Sequence, residues 1–234
     1  MTGRARSAAS AAPGVGACWD HVRVPSLVGL RSRLTEELEG VCVRTGMYAS
    51  TTGHADALCW QVLKHLAYID DCEESYTVTL RRHLEADFGA LGPVVMGDWF
   101  FDGWRPKHSG PAEVVAWYAE LAAGFGWTAA PRASAEEWEQ LLEAATAPAG
   151  LDGWTAERLV ADLPRPSLIV DRRVHCYAPP DEGRWVFIDA TEVGPPWDHG
   201  GAPVRSIRLP GDGRMLDRTI LTGTGSQQRA SAKD

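Results

Sequence analysis

The chain has 234 residues, of which 44% are hydrophobic and 23% charged, values typical of one globular domain with short appendages. The formal net charge is −8, and no cluster of Lys and Arg forms the basic stripe that displaces counterions from nucleic acid, so we expect no nucleic-acid partner. No apolar run approaches the ~20 residues that span a bilayer, so we expect no membrane partner either.

The two ends of the chain differ in composition from the middle. The first stretch, MTGRARSAASAAPGVGAC, is rich in small residues and lacks the ~7–15 apolar residues of an export signal. The last stretch, GTGSQQRASAKD, is small and polar. We therefore predict a disordered leader over residues 1–20, a single domain over 21–222 and a disordered tail over 223–234.

Helical patterns dominate the chain up to about residue 164. Apolar residues at three- and four-residue steps predict helices that begin near residues 27, 55, 76, 111, 135 and 155. Gly40 stands where a C-terminal cap of the first helix belongs. Ser134 followed by Glu137 predicts a capping box, while Thr155 starts a shorter helix that Pro164 stops.

Strand patterns follow from Ser167 onward. Four segments alternate or are rich in β-branched and aromatic residues, namely SLIVD, RVHCYA, RWVFIDAT and VRSIRL. Because helices come first and strands last, we predict the α+β class, with N-terminal helices packed on a C-terminal antiparallel sheet.

The segment between the second and third predicted strands sets their pairing. Residues Pro180–Gly183 fit a type I turn followed by a glycine in the left-handed conformation. Continued outward, that turn pairs Tyr177 with Phe187 and His175 with Asp189. Directly opposed residues lie on one face with Cβ atoms ~5 Å apart, so we expect the imidazole and the carboxylate to meet.

A carboxylate that accepts a ring N–H holds a histidine in the tautomer and orientation that a general base needs. Two alternatives stay open. The pair can be a structural contact contributing ~0.2–1 kcal/mol. It can also belong to a zinc site in which His175 and Asp189 act with a third ligand such as His54, although no local ligand spacing supports a metal and we predict none.

Residues 155–191 carry a resemblance. A histidine on one strand, a short hairpin and then W-V-x-x-D-A-T resembles the His–Asp half of transglutaminase-like and C39-like cysteine peptidases of the papain-like class. The resemblance implies a papain-like fold and a cysteine nucleophile on a buried helix, where the helix dipole and the imidazole lower the thiol pKa. In TTGHADALCWQVLKHL the corresponding cysteine is Cys59, at a position that a small core residue would also occupy.

The sequence leaves two classes of function. The resemblance implies a thiol-dependent acyl-transfer or amide/thioester-hydrolysing enzyme, with Cys59 as nucleophile, His175 as base, Asp189 as its orienting group, and Trp185 and Tyr177 as substrate contacts. The alternative is a small, acidic, non-catalytic binding protein of the immunity or regulatory type from a GC-rich bacterium.

The five cysteines, at positions 18, 42, 59, 72 and 176, show neither a disulfide framework nor a CxxC zinc clasp. Such usage favours reduced thiols and a cytoplasmic protein. Because no phosphate-binding loop or dinucleotide glycine motif occurs, we predict no cofactor.

Overall fold

The computed structural model describes residues 26–43, 54–88, 110–128, 130–147, 150–190, 200–215 and 217–231. Within these ranges the helices are α1 (Leu27–Val43), α2 (His54–Ile69), α3 (Glu73–Phe88), α4 (Gly110–Gly124), α5 (Ala135–Thr146), α6 (Ala156–Asp162) and α7 (Gly223–Ser231). The strands are β1 (Leu168–Val170), β2 (Val174–Tyr177), β3 (Val186–Ala190), β4 (Val204–Arg208) and β5 (Thr219–Leu221). The α+β class is confirmed, while the papain-like arrangement stays a prediction.

The five strands form one antiparallel sheet in the order β1-β2-β3-β4-β5, so each strand pairs with its neighbours along the chain. Every residue of β2, β3 and β4 is buried, because helices cover both faces of the sheet. Alternate residues of these strands therefore belong to two different cores.

One core, here the α4 face, lies between the sheet and helices α1 to α4 and includes Val174, Cys176 and Phe187. The other core, the α6 face, lies between the sheet and helices α5 and α6 and includes Val186 and Ile188. The sheet thus separates the N-terminal helices from the two helices that directly precede it in the chain.

Local capping explains where the two helices of the α6 face begin. Ser134 accepts the backbone N–H of Glu137, and the Glu137 side chain accepts the backbone N–H of Ser134, so the predicted capping box is confirmed. Thr155 caps α6 by accepting the backbone N–H of Arg158. The helix ends just before Pro164, as predicted.

The prediction that Gly40 ends the first helix is wrong, because α1 continues to Val43. A glycine inside a helix costs about 1 kcal/mol relative to alanine. The extra turn buries Val41 and Cys42 in the core, and this burial offsets that cost.

The prediction of a disordered tail is wrong for Gly223–Ser231, which forms α7. Thr222 caps this helix, since its hydroxyl oxygen accepts the backbone N–H of Gly225 at 3.1 Å. At Gly225 a Cβ atom would lie 2.0 Å from the carbonyl oxygen of Arg205, so glycine alone allows α7 to approach β4 this closely. The predicted leader lies outside the described residues.

Arg205 itself occupies an irregular position in β4. Asp189 pairs with Ser206 and Ala190 pairs with Val204, so Arg205 is the extra residue of a β-bulge.

Within the described ranges, none of the helices combines the length and the apolar character needed to cross a bilayer.

Candidate functional site

The pairing of β2 with β3 differs by one residue from the predicted register. Tyr177 pairs with Val186, His175 pairs with Ile188, and Val174 pairs with Asp189. The predicted pairing of His175 with Asp189 is therefore wrong. Because a shift of one residue moves a side chain to the other face of a sheet, His175 lies on the α6 face and Asp189 on the α4 face.

Contacts with the rest of the molecule explain this register. The backbone N–H of Ala178 donates to the Ser167 hydroxyl at 2.9 Å, and that of Trp185 donates to Glu120 at 2.8 Å. In a tight hairpin, the backbone N–H groups of Ala178 and Trp185 would continue the β2–β3 hydrogen bonding past the Tyr177–Val186 pair. Their bonds to other elements end the ladder there and leave a longer loop than the Pro180–Gly183 turn predicts.

The structure places the predicted nucleophile away from the predicted base. Cys59 has 0% exposure and packs in the core of the α4 face, whereas His175 points to the opposite side of the sheet. A nucleophile and its base must lie within hydrogen-bond reach of each other. The sheet therefore does not bring the two side chains into that arrangement.

The predicted substrate contacts are also interior. Trp185 packs on the α4 face, where its ring stacks with that of Phe187 at a centroid distance of 6.1 Å. Tyr177 packs on the α6 face, and burial raises the pKa of its hydroxyl. The two rings lie on opposite sides of the sheet and do not line one common pocket.

Asp189 belongs to a buried ionic cluster that the sequence did not predict. Arg205 contacts both Asp189 and Glu113 of α4, and Arg173 lies 3.8 Å from Asp189. Burial raises the pKa of Glu113 to about 8, opposed by Arg205 and reinforced by Asp189. The carboxylate that was expected to orient a histidine instead pairs with arginines.

A second buried ionic cluster joins α3 to the end of the sheet. Asp87 accepts hydrogen bonds from Arg184 at 2.9 Å, from Arg218 at 2.8 Å and from the Trp117 indole at 2.6 Å. Despite burial, these partners hold the pKa of Asp87 below its ordinary value. Asp87 is therefore ionised and held by two guanidinium groups.

His175 lines an open cleft of about 680 Å³, here the His175 cleft. Its walls are mainly apolar and include Val43, Ala156, Val160 and Ile169. The two charged side chains of the lining are Glu157 and Arg172. Sequence reasoning missed these residues. One signal was available, since Val160 is an apolar residue on the outer side of α6 and is 59% exposed.

The imidazole of His175 is 2% exposed, and its Nδ1 atom has no hydrogen-bond partner among the described residues. Burial lowers the pKa of His175 to about 4, opposed by the charge of Asp189, so the ring is neutral at pH 7. Because Nδ1 is shielded from water, a ligand in the cleft would meet the ring at its Nε2 edge. A neutral imidazole can there donate or accept one hydrogen bond.

Across the ranges that the structure describes, no three His, Cys, Asp or Glu side chains are arranged to hold a metal ion. Cys42, Cys59, Cys72 and Cys176 are thiols rather than disulfides. Comparison with protein-family models, with curated proteins and with solved structures finds no match to this chain.

Proposed function

We propose that this protein is a non-catalytic binding protein that holds a small ligand in the His175 cleft. The observation that carries the proposal is an open, mainly apolar cleft whose lining includes one neutral imidazole, that of His175. A large apolar pocket with few polar groups is the usual form of a ligand site.

The chemistry of the cleft defines the ligand class. Val43, Val160 and Ile169 offer an apolar surface to the body of a ligand, and the Nε2 edge of His175 offers one hydrogen bond. The ligand is therefore a small, mainly apolar molecule with one hydrogen-bonding group. The cysteine usage, which shows no disulfide framework, supports a reducing compartment, and a cytoplasmic location is part of the proposal.

Binding is better supported than thiol-dependent catalysis. A general base works best when its pKa lies near the working pH, and burial lowers the pKa of His175 to about 4. A nucleophilic cysteine is partly exposed, while Cys59 is fully buried across the sheet. The geometry of the hairpin thus favours the second of the two classes left by the sequence.

The test uses phenol as a probe, because it combines an apolar ring with one hydroxyl group. NMR of the His175 ring resonances should show a saturable shift as phenol is added. The variant Val160→Asp should weaken binding about tenfold, since a carboxylate in an apolar wall is costly to desolvate. The matched control is Val78→Asp on α3, because Val78 is similarly exposed at 56% and does not line the cleft.

An absent shift, or equal weakening in the two valine variants, would contradict the proposal. Brief treatment with iodoacetamide and mapping of the alkylated cysteines separates the other class of function. A binding protein of this structure keeps Cys59 protected until it unfolds. Rapid alkylation of Cys59 near neutral pH would instead support the thiol enzyme.

A further inference from the structure

A second pocket, here the arginine pocket, has a volume of about 560 Å³ and shares no lining residue with the His175 cleft. It lies between α3, the end of α4 and residues 182–185. Its charged and titratable lining consists of Arg82, His83, Glu120, Arg132, Glu182 and Arg184. Three arginines thus line one pocket of a chain whose net charge is −8.

Arg184 lines the pocket and has N–H groups that are not used in hydrogen bonds within the described chain. Its terminal nitrogens donate to Asp87 at 2.9 and 3.2 Å and to Glu120 at 3.4 Å. A guanidinium has five N–H donors, so two of them remain for a ligand. The side chain is also partly exposed, at 21%.

The charge behind this part of the pocket is positive. Arg184 and Arg218 pair with Asp87, Arg184 also pairs with Glu120, and the two carboxylates act on the buried Arg208 from beyond ion-pair distance. Among the described residues no carboxylate lies within ion-pair distance of Arg208. Its guanidinium instead lies 3.8 Å from the centre of the Phe187 ring.

Two more arginines stand at the mouth of the pocket. Arg82 is exposed on α3 and makes no ion pair with a residue of the described part of the chain. Arg132 donates to the backbone carbonyl oxygen of Pro179 at 3.3 Å, a contact that leaves its charge uncompensated. Glu182 is the carboxylate at this end, so cations exceed anions here as well.

The pKa of His83 responds to the charges around the pocket. Burial lowers its pKa to about 4, and Arg184, Arg82 and Arg218 lower it further, with Asp87 opposing. The Nδ1 atom of His83 is buried without a partner among the described residues. The neighbourhood therefore disfavours an additional positive charge, through burial first and then through Arg184 and Arg82, which line the pocket.

We propose that the arginine pocket binds a small organic anion, whose carboxylate or phosphate group is held by Arg82 and Arg184 while its apolar part lies against Phe125. Guanidinium groups match both oxyanions with paired, charge-assisted hydrogen bonds. The apolar lining, which includes Leu121, Ala123 and Phe125, distinguishes this pocket from a site for a bare inorganic ion. The site is independent of the ligand proposed for the His175 cleft.

Calorimetric titration of the full chain with benzoate and with phenyl phosphate tests this proposal, with benzyl alcohol as the uncharged comparison. At least one anion should bind saturably and more weakly as salt rises, and the tighter one identifies the preferred oxyanion. Arg82→Gln should weaken binding about tenfold, as loss of one charge-assisted contact implies. The matched control, Arg81→Gln, changes an exposed arginine of the same helix that does not line the pocket, and it should leave affinity within about twofold.

Bound anion should also raise the pKa of His83, measured by NMR titration with and without the ligand, because a nearby negative charge stabilises the imidazolium. The proposal would be overturned by no saturable binding of either anion, by equal binding of benzyl alcohol, or by equal weakening in the two arginine variants. An unchanged His83 titration at saturating anion would place the anion elsewhere and would overturn it too.

Discussion

The two faces of the sheet cover the same central strands but accommodate polar groups in different ways. On the α4 face, Asp87 and Asp189 are buried and each contacts two arginines. The α6 face is built mainly from aliphatic side chains, and its His175 is neutral with an Nδ1 atom that no described residue satisfies. The α4 face thus keeps the charges of Asp87 and Asp189 by pairing them with arginines, and the α6 face holds His175 in its neutral form.

The difference shows what each solution requires of the chain. Asp87 is 97 residues from Arg184 and 131 residues from Arg218, so its cluster forms only when distant segments are already in place. A buried ion pair adds little net stability, but removal of one partner leaves an uncompensated charge and is costly. The neutral imidazole of His175 needs no charged partner from a distant segment, so its edge in the cleft can serve a ligand.

The largest effect is expected at Asp87. Asp87→Ala leaves Arg184 and Arg218 without their shared carboxylate and should lower the free energy of unfolding by about 3–5 kcal/mol. Urea unfolding at pH 7 measures this change. Glu85→Ala, at an exposed position of the same helix, should stay within about 0.5 kcal/mol, and a similar loss in both variants would break the comparison.

A smaller effect is expected at His175, and it depends on pH. The pKa of His175 in the folded chain, about 4, is below its ordinary value of 6.5, so its neutral form stabilises the fold fully above pH 6.5 and this stability is lost as pH falls through 4. His175→Leu should stay within about 1 kcal/mol of the parent at pH 7 and exceed it by about 2 kcal/mol at pH 4.5.

Chemical unfolding at the two pH values measures that difference. His65→Leu, on the exposed side of α2, supplies the control for replacement of a histidine by leucine. A His175 variant that loses several kcal/mol at pH 7 would mean that the imidazole has an essential partner in the folded chain. The contrast between the two faces would then disappear.

A pH-dependent effect of the opposite sign is expected at Glu113. Its pKa is raised from 4.5 to about 8, so its protonated form stabilises the fold fully below pH 4.5 and this stability is lost as pH rises through 8. Glu113→Gln keeps a neutral side chain and should retain about 4 kcal/mol more stability than the parent at pH 9, relative to pH 5. Thermal unfolding at both pH values tests this, and parallel curves for the two proteins would show that Glu113 is ionised throughout.

Much of the fold was predictable because local signals determine it. Ser134 and Thr155 mark their helices by capping, and the predicted strands after Ser167 correspond to β1 through β4. The three residues of β5 gave no comparable signal, since Thr219–Leu221 is short and its strand character depends on pairing with β4. The small polar residues of α7 likewise form a helix through the Thr222 cap and contact with β4.

The candidate site was less predictable because its geometry depends on one residue of register. The turn residues Pro180–Gly183 favour a tight hairpin, but Ser167 and Glu120 take the backbone groups that such a hairpin would use. Those partners are distant in sequence and have no local pattern. The arginine clusters could not be predicted either, because their partners are also distant in sequence. From the sequence alone, Arg184 and Arg218 resemble ordinary surface cations, and only the fold brings them to Asp87.

Gly225 links the periphery of the molecule to its interior. A methyl group at this position would have to displace the carbonyl oxygen of Arg205, and the side chain of that same residue contacts Asp189 and Glu113 in the core. Whether position 225 of α7 tolerates a larger residue is therefore decided by the backbone carbonyl oxygen of Arg205. Loosening of α7 and disturbance of the buried carboxylates should consequently occur together, so that the last helix and the core unfold as one cooperative unit.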